Sequence, residues 1–123
     1  MTANTLMLAD YGARVETALW TGAAAEKNIV TSQSLELGGM VHCLGRSIVT
    51  NKYMFDTERG VGRFISSDAN TDQQTDNTTL TAFLNNGFTL GANTNLNALG
   101  ETYAAWCYKK SKNEAINCQI LIF

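Results

Sequence analysis

The chain has 123 residues, 45% of them apolar and 16% charged, with ten glycines, no proline and a formal charge of −2. That length makes one domain with a core large enough to stand without disulfide or metal staples. The acidic balance, with a pI near 5.2, excludes a phosphate-backbone ligand, which requires a basic face, so no nucleic-acid partner is expected.

No run reaches the ~18 to 20 consecutive apolar residues that span a bilayer, so no membrane association is expected. The stretch Thr5 to Leu8 is short, is interrupted by Asp10 and lacks a basic leader, which does not match a signal peptide. Met1 to Arg14, with Leu6, Leu8 and Tyr11, is read as an N-terminal arm, and residues 15–123 as the domain. Low charge with abundant Asn and Thr suits rigid β surfaces that pack against neighbours, because a hydroxyl or amide is cheaper to desolvate than Lys or Glu.

The first predicted strand is Val15 to Thr21. It carries Trp20, a candidate stacking platform for a sugar ring. Gly39 to Arg46 follows, with His42, the single histidine, beside Cys43. Adjacent side chains on a strand point to opposite faces, so His42 cannot serve Cys43 as a base, and no nucleophile elbow occurs elsewhere. After the strand Tyr53 to Phe55, Asp56 and Glu58 would be the one carboxylate pair suited to glycoside hydrolysis, which needs them ~5 to 10 Å apart. Arg59 follows at once, and a turn closed by carboxylate to guanidinium contacts accounts for Asp56 without catalysis. No catalytic residue is therefore assigned.

Beyond the strand Gly62 to Ser66, residues 66–79 read as a polar loop. Asp68, Asn70 and Asp72 match the first three ligand positions of an EF-hand, but Gln73 stands where glycine belongs and Thr79 where the bidentate glutamate belongs. No metal and no cofactor are assigned. Thr79 to Leu84 and Phe88 to Gly91 flank Asn86-Gly87, a pair that suits a two-residue hairpin turn of positive φ. In that register Asn85 faces Phe88 and Phe83 faces Leu90, so Phe83, Phe88 and Leu90 share one core face. The loop after it carries Asn93, Asn95 and Asn97. Their amides are expected to bond local backbone, with contact to glycan hydroxyls as the second reading.

Thr102 to Lys109 is an aromatic strand in which Trp106 and Tyr108 share a side, read first as core aromatics, with stacking on a sugar ring, together with Trp20, Tyr53 and Tyr103, as the second reading. Ala115 to Phe123 alternates most cleanly, Ile116, Cys118, Ile120 and Ile122 against Asn117, Gln119 and Leu121. If the first set fills the core, Leu121 and Phe123 face outward and form a candidate interface. Cys43, Cys107 and Cys118 are odd in number, without a Cys-x-x-Cys pair, and read as reduced core residues.

The runs L-T-A-F (80–83), N-G-F-T-L-G (86–91) and Y-A-A-W-C-Y-K (103–109) resemble a module that recurs in structural and tail-associated proteins of bacteriophages. Its pattern is roughly L-T-S-F-x-S-D-G-F-T-L-G, a polar loop, then Y-V-A-W-C-W-K. Trp20-Thr21-Gly22, the strand from Gly39 to Ser47, and Met54 to Gly60 continue the likeness upstream, so that it spans Val15 to Lys110. The chain departs from the pattern where the module has a Trp-Ile-Lys run and this sequence has His42-Cys43-Leu44. The resemblance implies a virion protein and no particular chemistry.

Eight short strands between turn clusters predict an all-β fold, a single β-sandwich of jelly-roll type. The function expected is that of a non-enzymatic virion component, a head decoration protein or a tail module. A glycan-binding receptor module is the alternative and a polysaccharide hydrolase the remote one. The expected partners are other virion proteins and further copies of the chain, a trimer being preferred from what is common among phage surface proteins.

Overall fold

The computed structural model describes residues 15–32 and 34–110. The fold is all-β: two antiparallel sheets enclose one core, and among the described residues there is no helix. The strands are β1 (Val15–Thr21), β2 (Lys27–Val30), β3 (Gly39–Gly45), β4 (Tyr53–Asp56), β5 (Arg63–Ser66), β6 (Gln74–Thr75), β7 (Leu80–Leu84), β8 (Gly87–Leu90) and β9 (Thr102–Lys109). One sheet runs β1-β9-β3-β4-β5-β6 and the other β2-β8-β7. The expected arm and the expected strand Ala115 to Phe123, with Leu121, Phe123 and Cys118, lie outside the described residues.

Period-two alternation drives the larger sheet. Ala18 and Trp20, Tyr103, Ala105 and Cys107, Val41 and Cys43, Tyr53 and Phe55, and Phe64 all turn inward and are buried. From the smaller sheet Ile29, Leu80, Phe88 and Leu90 close the sandwich, and Leu35 and Leu96 enter from loops. Trp20 meets a ring in each sheet: it stands edge-on to Phe88 across the layers at 5.9 Å and stacks on its cross-strand neighbour Tyr103 at 5.7 Å, the T-shaped and stacked geometries that aromatic quadrupoles favour.

The hairpin differs from its expected register. Leu84 pairs with Gly87, Phe83 with Phe88 and Ala82 with Thr89, so Asn85 and Asn86 make the turn and Gly87 opens β8. Neither asparagine has positive φ; Gly87 does, at 132°. The cause lies in the third strand. A Cβ on residue 87 would sit 1.9 Å from the carbonyl oxygen of Ile29, so the glycine is needed beneath β2 rather than in the loop. The slip amounts to two residues, an even number, and Phe83, Phe88 and Leu90 still share a face. An irregularity between Leu80 and Ala82 then inserts Thr81 as an extra residue, which turns Leu80 inward opposite Leu90.

Two strands were not expected. β2 offers one inward apolar residue, Ile29, too few for a visible period. The loop 66–79 contains β6, two exposed residues paired with Arg63 and Phe64.

Candidate functional site

The outer face of the six-stranded sheet is built by the residues that alternate away from the core. Its middle row runs Thr17, Trp106, His42, Met54 and Ile65 from β1 across β9, β3 and β4 to β5. Val15, Tyr108, Met40 and Asp56 form the row on one side, and Leu19, Ala104 and Leu44 the row on the other. Leu19 is 61% exposed, Val15 52%, Trp106 40% and Tyr108 38%. One patch thus collects apolar and aromatic side chains, with ionic groups at its margins.

His42 sits at the centre, its ring 5.7 Å from Trp106 and its Nε2 3.0 Å from Ser67 Oγ. Partial burial, and next the Lys52 ammonium, hold its pKa below the usual histidine value, against a smaller opposite pull from Asp68. The imidazole is neutral at pH 7, so the patch keeps its apolar character there. Asp68 accepts from the Lys52 amide at 2.9 Å and pairs with its Nζ at 3.7 Å. These contacts, the amide first, hold the Asp68 carboxyl below the ordinary range. Asp56 is closed by Arg59 through its amide at 2.7 Å and its Nε at 3.0 Å, and Gln73 accepts from the same guanidinium at 2.6 Å.

The structure moves several expected site residues. Trp20 is no sugar platform: it is 7% exposed, held between Phe88 and Tyr103, and its Nε1 donates to the Leu96 carbonyl at 3.1 Å. Trp106 and Tyr108 were expected in the core and lie on the surface instead. The two tryptophans exchange roles because β9 turns Tyr103, Ala105 and Cys107 inward beside Ala18 and Cys43. The alternation Tyr-x-Ala-x-Cys was the available signal, outweighed by the size of Trp106 and Tyr108.

Asn93, Asn95 and Asn97 are spent within the fold. Asn97 is fully buried: its Oδ1 accepts from the Ala23 amide at 2.8 Å, and its Nδ2 donates to the carbonyls of Ala25 and Gly91 at 2.6 and 2.8 Å. Asn93 donates to Asp76 and Thr78, both at 3.2 Å, and accepts from the Asn95 amide. Asn95 donates to the Tyr53 hydroxyl at 2.7 Å. Asn97 is thus closed to a ligand, Asn93 is committed to Asp76, Thr78 and Asn95, and Asn95 stays exposed beside its bond to Tyr53.

His42 and Cys43 lie on opposite faces as expected, Cys43 fully buried. Asp56 ends β4 and Glu58 lies in the turn after it, so the two do not alternate along a strand. Asp68 is bound to Lys52, and among the described residues no group of three or more His, Cys, Asp or Glu could hold a metal ion.

The family model described as "Domain of unknown function (DUF7483)" matches residues 10–122. No curated protein and no solved structure matches the chain.

Proposed function

We propose that this chain, which belongs to the DUF7483 family, is a non-enzymatic assembly module of a bacteriophage particle, held to other virion proteins through the outer face of its six-stranded sheet. The observation that carries the reading is the make-up of that face: Trp106, Tyr108, Met40, Met54 and Leu19 around a neutral His42. Aromatic and Met side chains at the centre with charge at the rim is how protein–protein contacts differ from ordinary surface. The phage assignment rests on the resemblance of residues 15–110 to the virion module. The committed state of Asp56 and the separation of His42 from Cys43 support a role without catalysis.

The test is to purify particles of the phage that carries the gene and look for the chain by mass spectrometry and antibody labelling. It should be present in many copies per particle, and Trp106→Ser with Tyr108→Ser should be lost from particles while the isolated protein keeps its sheet spectrum. Particles lacking the chain would overturn the assignment.

Exposed Trp106 also favours a second reading, glycan recognition at this face, where Trp106 and not the buried Trp20 is the accessible one of the two tryptophans. A glycan array separates the two, since stacking on a sugar would show as binding lost in Trp106→Ala.

A further inference from the structure

The two edges of the six-stranded sheet differ in length and in what lies beside them. At one end of the large sheet β6 is two residues long, a blunted edge. At the other end β1 presents seven residues in unbroken register with β9, and among the described residues no strand lies on its far side. It carries no proline, no lysine and no bulge, and Glu16, in phase with the buried Ala18 and Trp20, is its one charge among the devices that keep edges from pairing. On the same side β2 ends the small sheet, and a cleft runs between the two edges, lined by Leu19, Trp20, Thr21 and by Lys27 to Val30. Trp20 and Ile29 are core residues, so the cleft reaches the core. Val30, 69% exposed, joins Leu19 and Val15 there: of the five exposed large apolar side chains that lie in strands, three belong to these two edges.

We propose that two copies of this chain join along this side, β1 antiparallel to β1 about a two-fold axis, sealing both clefts and continuing the six-stranded sheet from one copy into the next. The proposal supplies a partner for the assembly reading above and rests on it only for its biological purpose. The charges select both the occupant and the direction. Glu16 lies at one end of β1, where its carboxylate accepts from the Ser32 amide at 3.1 Å and from the Ser32 hydroxyl. Lys27 lies at the opposite end, beside Thr21. Antiparallel pairing about a two-fold puts Glu16 of each copy at the end where the other copy holds Lys27, so every contact occurs twice. Parallel pairing would set acid against acid. Glu26, exposed beside Lys27, adds an acid at that end, and it is Lys27, which lines the cleft, that faces Glu16 of the other copy in this arrangement.

Sedimentation equilibrium of the full chain tests it. The wild type should reach twice the 13.4 kDa of the monomer. Glu16→Lys and Lys27→Glu should each weaken the dimer about tenfold or more, and the two together should restore it. Lys27→Glu leaves the contact of Glu16 with Ser32 in place, so it remains informative should Glu16→Lys disturb the fold, and circular dichroism checks each variant. Leu19→Lys should abolish pairing as an edge-protecting charge. Amides 15–21 should exchange more slowly as protein concentration rises. A trimer, a dimer indifferent to these changes, or a monomer at about 100 μM would overturn the proposal. A monomer whose β1 amides are protected at every concentration would overturn it in favour of residues 111–123 as the strand that covers the edge. A monomer that still enters phage particles would sink the two-fold dimer alone, whereas a dimer absent from particles would sink the virion role alone.

Discussion

Asn97 joins loops that are far apart in sequence: one buried amide holds Ala23, Ala25 and Gly91 at once. Asn97→Ala removes one donor group and one acceptor from a dry site and leaves three backbone groups unpaired, so a loss of roughly 2–4 kcal/mol is expected in urea titration. Ala24 beside it has φ of 54°, and among the described residues no other non-glycine is positive. Ala24→Gly should therefore be neutral or stabilising by up to about 1 kcal/mol, the reverse of the usual glycine effect. The thiols give a pH signature. Burial pushes Cys43 well up, with Cys107 adding to it, and burial followed by the Glu16 charge pushes Cys107 up to about 12. In the unfolded chain both ionise near ~8.5, so above that pH the unfolded state loses protons that the native state keeps. Stability is complete below about pH 8.5 and falls as pH climbs toward the native values. Urea midpoints at several alkaline pH values should show this slope, and Cys43→Ala with Cys107→Ala should flatten it while lowering stability overall. Both thiols should resist iodoacetamide in the folded protein at pH 8.

Among the elements, the β7–β8 hairpin depends on a strand that its own sequence does not announce. Gly87→Ala would drive a methyl into the Ile29 carbonyl and hold an L-residue at φ of 132°, for an expected cost of roughly 2–4 kcal/mol. A loss below about 1 kcal/mol by the same titration would mean that β2 does not lie against Gly87. The hairpin could be read from its apolar alternation and Asn-Gly pair, yet its register could not, because the close approach of β2 is a tertiary fact. β1, β3, β4, β5, β7, β8 and β9 were legible because each buries at least one residue type that period two exposes to view. β2 and β6 were hidden because Ile29 alone, and no apolar residue at all in β6, mark them. The candidate site was legible in its ingredients and misassigned in its members: Trp20, a tryptophan with no other ring near it in the sequence, drew the binding role, and an aromatic cluster, Trp106 with Tyr108, drew the core first. Only the width of the neighbouring side chains decides which way such rings turn, and width is counted across strands rather than along them.

For the molecule as a whole, those two tryptophans report on different worlds. Acrylamide should quench native fluorescence in two populations, an accessible one from Trp106 and a protected one from Trp20, and Trp106→Phe should leave only the second. The sheet order carries a further consequence, one of timing. β9 lies between β1 and β3, so Val15 is neighbour to Tyr108 and Gly39 to Lys109. A chain emerging from the ribosome makes β1 first and cannot seat it until residue 109 is free of the exit tunnel. Before that point β3 to β6 can pair in order and β8 can join β2 and β7, while β1 and one edge of β3 wait for β9. Pairings so distant in sequence close slowly, and refolding from denaturant should take milliseconds to seconds. Pulling force on an arrested nascent chain should accordingly rise in steps as β3 to β6 and then β7 and β8 emerge, with a last rise when β9 clears the tunnel, so the last of the described strands is the one that seats β1 and joins it to β3.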